Sequence, residues 1–207
     1  MRVVVFGSTG GTGRALVEQG LNLGHEVTAF ARIPAAVLIH HERLVVLQGD
    51  VLNPAKVEAA IADAEAVLSA LGSGLSARKH VVSEGTRNIV AAMKKFGVRR
   101  FICETSYGTG SSYEDARLSA KLFFRTLLKN ALADKDQQEE YIRNSGLDWV
   151  VVRPTGLTNG PRTGQYHAAE RMRLGVGNRI SRADVAEFML GQLADDTWLH
   201  KFVVLSE

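Results

Sequence analysis

The stretch that decides the fold is VVVFGSTGGTGRALV, residues 3–17. Four apolar residues, Val3 to Phe6, run into a segment with glycines at 7, 10, 11 and 13, and the helix-favouring Arg14-Ala15-Leu16-Val17 follows. A glycine inside a helix or strand costs roughly 0.5–1 kcal/mol relative to alanine, so a cluster at this junction implies a need for bare backbone. Gly7, Gly10 and Gly13 fall in a G-x-x-G-x-x-G spacing between a strand and a helix. There the first glycine permits a tight turn, the second lets the backbone approach a pyrophosphate, and the third allows close helix–strand packing. The amides that open the helix then face the phosphates, with Thr9, Thr12 and Arg14 in the same loop. Gly11 adds one more bare position, outside the spacing.

The rest of the chain alternates in the same way. Short apolar runs predict strands at 2–6, 26–30, 43–48, 66–71, 99–105, 148–153 and 201–205. Helical patterns lie near 12–23, 54–63, 79–96, 117–129, 134–145 and 182–194. Gly24, Gly97 and Gly146 stand where helix C-terminal caps belong, Pro54 suits a first helical turn, and Ser181 suits an N-cap. Continuous apolar runs are expected of strands covered on both faces. The reading is therefore an α/β protein: one Rossmann-type domain, residues 1–207, with a doubly wound parallel sheet. Residues 107–133 and 154–180 break the alternation, each after a strand's C-terminal end, where such sheets bind ligands. They are expected to build a small substrate-side lobe.

Composition narrows the function classes. A chain of 207 residues buries roughly 70% of its unfolded surface and needs no disulfide or metal to fold. Its one cysteine, Cys103, lies in an apolar run and reads as a core thiol, which implies a reducing, cytoplasmic setting. No apolar run approaches the ~18 residues of a membrane helix. With 25 basic and 22 acidic residues, dispersed along the chain, nothing points to nucleic acid. His40-His41 lacks matching ligands for a metal, and there is no G-x-S-x-G hydrolase elbow.

The second strand decides which dinucleotide. An NAD site carries an acid there for the ribose 2′-hydroxyl. This strand ends Phe30-Ala31-Arg32, and no acid occurs between Glu26 and Glu42. Arg32, with Arg14 nearby, matches a 2′-phosphate and so favours NADP/NADPH; a solvated loop charge is the alternative. Asp50 and Val51 after the third strand are placed for the adenine, and Leu71 and Gly72 after the fourth for the cofactor's middle. Arg78 and Lys79 reach over the phosphates or are solvated.

The glycine loop, Gly49-Asp50-Val51, the run from Ser83 to Met93, Thr105-Ser106 and Ser145-Gly146-Leu147 recur in this order in one group. The chain resembles the biliverdin reductase B / flavin reductase family, NADPH-dependent atypical members of the short-chain dehydrogenase superfamily. The resemblance covers nearly the whole chain and is loosest in the two interruptions. The run from Ser83 to Met93 is its most specific match and is expected to serve helix packing. The resemblance implies a monomer that passes hydride from NADPH to a flat conjugated acceptor, a flavin and in some members a bilin.

Most short-chain dehydrogenases use a Tyr-x-x-x-Lys pair. Lys135 stands where the lysine falls, but Ala131 occupies the tyrosine's position, and Tyr113 is followed by Arg117. Flavin reduction tolerates the loss, because the charge delocalises over the ring system and solvent supplies the proton. Lys135 is expected at the nicotinamide ribose or, alternatively, on a solvated helix face. Thr105 and Ser106 end the fifth strand, and the resemblance puts a serine like Ser106 beside the nicotinamide. Pro154, Gly156 and Leu157 are expected to border the carboxamide. The resembled enzymes can carry a histidine near Gly156; its absence here widens the pocket. Tyr107, Tyr113, Tyr166 and Trp149 are candidates for a planar pocket, Trp149 more as core. The alternatives are an NADP-sensing regulator and a reductase of quinones or isoprenoids.

Overall fold

The computed structural model describes residues 1–72 and 80–207. The first strand, β1 (Arg2–Phe6), is apolar and buried from Val3 to Phe6 because it is covered on both sides. Val3 and Val5 face a core shared with the helices α1 (Gly11–Asn22) and α7 (Arg182–Gly191). Val4 and Phe6 face the opposite core, built against α2 (Pro54–Ile61) and α3 (Val81–Phe96). The remaining main strands are β2 (Glu26–Ala31), β3 (Leu44–Gln48), β4 (Ala66–Ser69), β5 (Arg100–Glu104), β6 (Asp148–Pro154) and β10 (Phe202–Ser206).

The strand order is β3-β2-β1-β4-β5-β6-β10-β8, parallel except at the β8 (His167–Ala169) edge. The order reverses between β1 and β4, so the glycine loop after β1 opens onto the crevice where doubly wound sheets bind ligands. The single-domain Rossmann-type expectation is met.

Several boundaries differ from the sequence reading. β4 stops at Ser69 rather than 71, and β5 stops at Glu104, short of Thr105. The helix expected from 134 begins at Lys129, giving α6 (Lys129–Arg143), because only Leu128 separates it from α5 (Leu118–Leu127). Residues 107–133 also hold the short α4 (Ser112–Asp115). The 154–180 segment is not a plain loop: β7 (Gly156–Thr158) pairs with β9 (Arg179–Ser181), and β8 adds to the sheet edge. Three-residue strands are too short to show an alternation. Most of the expected caps hold, though α6 is capped by Asn144, two residues before Gly146. Ser181 accepts from the Asp184 amide, Asn53 caps α2 just before Pro54, and Gly97 ends α3 at φ +71°.

The lobe has its own apolar centre, in which Tyr107, Ala116, Ala120, Phe124 and Leu132 cluster with Val204 of β10. The Tyr107 hydroxyl donates to the Met172 carbonyl and accepts from the Leu174 amide, tying the two interruptions together.

Candidate functional site

The loop after β1 is shaped by its glycines. Gly7 sits at φ +78°, and a Cβ there would lie 2.3 Å from the Ala70 carbonyl oxygen. A Cβ at Gly13 would lie 2.0 Å from the Gly7 carbonyl oxygen, so this glycine is what lets α1 press onto the loop. Gly10 closes the turn by donating to the Gly7 carbonyl at 2.9 Å. The outcome is a cradle of bare backbone at the start of α1, the shape a dinucleotide's pyrophosphate needs.

A cavity of about 580 Å³ runs from this cradle along the strand ends. At one end lie Phe30, Ala31, Arg32, Gly49, Asp50 and Val51; at the other lie Glu104, Thr105, Ser106, Lys135 and Leu157. Thr9, Thr12, Leu71 and Gly72 line the middle. The sequence reading thus brought most of its candidates to one place. A Cβ at Gly49 would fall 2.3 Å from the Phe30 ring, so this glycine is what gives that ring its seat. Asp50 accepts from the Leu52 amide at 3.0 Å, which sets the turn that presents Val51. The run from Ser83 to Met93 supports this end as expected: Gly85 lets α3 close on Val51 and Leu71, and Asn88 donates to the Val51 carbonyl.

The other end is fixed by α6. Asp134 accepts from the Val82 and Ser83 amides, both at 3.1 Å, and so caps α3. Gln138 donates to Thr86. Glu139 accepts from Thr105 at 2.8 Å and forms a fully buried two-point pair with Arg153, at 2.9 and 2.6 Å. With the helix pinned at these points, the Lys135 ammonium reaches the Thr105 carbonyl at 3.0 Å and stands in the cavity wall. Ser106 is half-buried beside it and donates to the Tyr107 carbonyl at 3.2 Å.

Some candidates fall elsewhere. Arg14 closes the first turn of α1, its side chain exposed to solvent and outside the cavity lining. Pro154 is buried in β6 opposite Leu205, and Gly156 is spent on β7, its amide donating to the Asn178 carbonyl; neither lines the cavity. Arg78 and Lys79 lie outside the described residues. Tyr107, Tyr113, Tyr166 and Trp149 form no planar pocket here: each ring packs in a core or the lobe, and the ring in the cavity is Phe30. Cys103 is the expected core thiol, its pKa pushed up to about 12 by burial.

Two charged residues in the cavity wall were not singled out from sequence. Glu104 is only 6% exposed and accepts from the Thr12 hydroxyl at 3.2 Å. Burial raises its pKa above the ordinary value, against the pull of the Lys135 charge, the Thr12 bond and the Arg182 charge. The signal was a carboxylate inside the apolar run RFICET, since buried acids are rare unless paired. The second is Arg182, the first residue of α7. Nothing local marks it, because it meets the glycine loop only through the fold.

Comparison with known proteins agrees with this geometry. Residues 7–196 match a family model described as NAD(P)H-binding. An uncharacterized chloroplastic protein of Arabidopsis thaliana is 33% identical over 98% of this chain and 75% of its own length. An anaerobilin reductase from Escherichia coli O157:H7 superposes with a TM-score of 0.84 at 25% identity, covering 99% of this chain and 96% of that one. A short-chain dehydrogenase/reductase from Veillonella parvula, solved in complex with NADP, gives 0.81 at 23% identity over 100% and 94% of the two chains. Among the described residues, no helix is long and apolar enough to cross a membrane.

Proposed function

The chain belongs to the NAD(P)H-binding family, and from that premise we propose that it is an NADPH-dependent reductase of flat conjugated acceptors, flavins first and bilins second. The observation that carries the reading is the composition of the cavity's Ser106–Lys135 end. Among the described residues it holds a serine, a lysine and a buried glutamate but no tyrosine. Such a site is poor at protonating an alkoxide and suited to an acceptor whose charge delocalises.

When bound, the cofactor supplies the hydride. The chain's residues supply position. Arg32, exposed at the mouth with no ion pair among the described residues, holds the 2′-phosphate and so sets NADPH over NADH. The glycine cradle and Thr12 hold the pyrophosphate. Lys135, fixed on the Thr105 carbonyl, orients the nicotinamide ribose, and Ser106 orients the acceptor or a water that relays a proton. The acceptor is admitted between Ser106 and Leu157, under the lobe formed by 107–133 and 154–180. The likeness to a solved anaerobilin reductase supports the bilin half of the reading. The protein acts as a monomer in this account, as the biliverdin reductase B / flavin reductase resemblance implies.

The test is NADPH oxidation with FMN and with a bilin, each at matched concentration, against NADH. Faster oxidation with NADPH in the presence of either acceptor supports the reading. Tight NADPH binding with no acceptor reduced favours an NADP-sensing regulator instead.

A further inference from the structure

Gly11 is the glycine that the G-x-x-G-x-x-G spacing does not require, and the structure supplies a reason for it. A Cβ at Gly11 would lie 2.4 Å from Cδ and 2.7 Å from Nε of Arg182. The arginine's stem crosses the phosphate loop at a position where no side chain blocks it. Arg182 comes from the far end of the chain, at the first turn of α7, and α1 packs against α7 along this side of the sheet.

The charge at the end of that stem is unusual. Arg182 is half-buried in the cavity wall, and its guanidinium makes a neutral hydrogen bond, Nη1 donating to the Asn159 amide oxygen at 2.7 Å. Among the described residues Arg182 forms no ion pair, whereas Arg153, Arg99, Arg100 and Arg171 each hold a carboxylate. Glu104 also lines the cavity and the Arg182 charge favours its ionised form, yet its hydrogen bond comes from Thr12. A guanidinium held at a cavity wall by a neutral tether keeps its donors for an anionic ligand.

We propose that Arg182 is a pyrophosphate-binding residue, laid across Gly11 so that its guanidinium meets the cofactor's diphosphate from the side opposite the loop amides. The ligand class is any nucleoside diphosphate derivative, with or without the 2′-phosphate. Arg32 and Arg182 then divide the work: Arg32 reads the 2′-phosphate, and Arg182 reads the diphosphate that NADPH and NADH share. The proposal rests on nucleotide binding alone and stands apart from the choice of acceptor.

The experiment is calorimetric titration of the whole protein with ADP-ribose, NADPH and 2′-AMP, with thermal melts to confirm folding. ADP-ribose carries the diphosphate without a 2′-phosphate; 2′-AMP carries the reverse. Arg182→Ala should weaken ADP-ribose and NADPH by a similar factor, about tenfold or more for a lost charge-assisted contact, and leave 2′-AMP within about twofold. Arg182→Lys should recover part of the loss. Gly11→Ala, which pushes only on a flexible side chain, should weaken ADP-ribose too and add little on top of Arg182→Ala. Asn159→Ala, which removes the tether but keeps the charge, should cost less than about threefold. Unchanged ADP-ribose affinity in Arg182→Ala overturns the proposal. So does an equal loss in Asn159→Ala, which would mean that Arg182 merely holds the neighbouring loop. Failure of ADP-ribose to bind the parent protein overturns it as well. Failure of every acceptor to be reduced, with these affinities as expected, overturns only the reductase reading.

Discussion

The Thr12 hydroxyl of the glycine loop donates to the Glu104 carboxylate at the end of β5, 3.2 Å away and 92 residues along the chain. The contact joins the phosphate cradle to the wall of the Ser106–Lys135 end. It also sets the sign of a pH effect. Burial holds the Glu104 carboxyl above its ordinary value, so the folded protein binds this proton more tightly than the unfolded chain does. The contribution to stability is full at pH below the unfolded carboxyl's range and is lost as pH rises from there through the folded pKa.

Glu104→Gln keeps an acceptor for Thr12 and removes the titration. It should therefore raise the melting temperature at neutral pH, by roughly 2–4 °C for each kcal/mol released in a domain of this size, and give little change near pH 4. Thermal melts of both proteins across that range check it. A gain that is independent of pH would assign the effect to packing instead.

The buried pair of Glu139 and Arg153 predicts the opposite response to substitution. Both side chains are essentially inaccessible, and two bonds join them. Arg153→Met strands a carboxylate in the interior, which costs about 3–5 kcal/mol. Glu139→Gln combined with Arg153→Met should recover much of that loss. Urea unfolding of the single and double variants measures the coupling.

Arg32→Ala should weaken NADPH about tenfold or more and leave NADH nearly unchanged, since a charge-assisted contact is worth ~1.5–3 kcal/mol. Titration with each cofactor decides it. Equal losses would return Arg32 to the status of a solvated loop charge.

Ser106→Ala separates the acceptors. For a flavin, whose proton solvent can provide, turnover should fall only a fewfold. For a bilin, which must gain a proton on a pyrrole nitrogen, the loss should be larger, up to the ~10²–10⁴-fold typical of proton relay. Single-turnover rates with both acceptors check it; equal slowing would mean that Ser106 only shapes the pocket.

The sequence was most legible where one residue type has one physical use. Gly7 and Gly13 were read as a turn and a packing glycine, and their backbone angle and Cβ distances agree. The alternation of β1 to β6 with α1 to α3 and α6 was visible because most of these strands carry short continuous apolar runs, as expected where a strand is covered on both faces. Residues whose role depends on distant partners were not legible. Arg182 is a helix-start arginine until α7 meets α1. Glu139 looks like any helix glutamate until β6 brings Arg153 beneath it. Arg14 is the reverse case: near the loop in sequence, it is exposed in the first turn of the helix and outside the cavity lining. The lobe's strands, β7 to β9, were missed because three residues carry no period.

The most direct test of the reductase account is an anaerobic single turnover in which protein preloaded with NADPH is mixed with FMN, following the nicotinamide and flavin absorbances together. The account predicts that both bands bleach at one rate, in equal amounts, and much faster than without protein. Bleaching of neither band, with NADPH demonstrably bound, would contradict it.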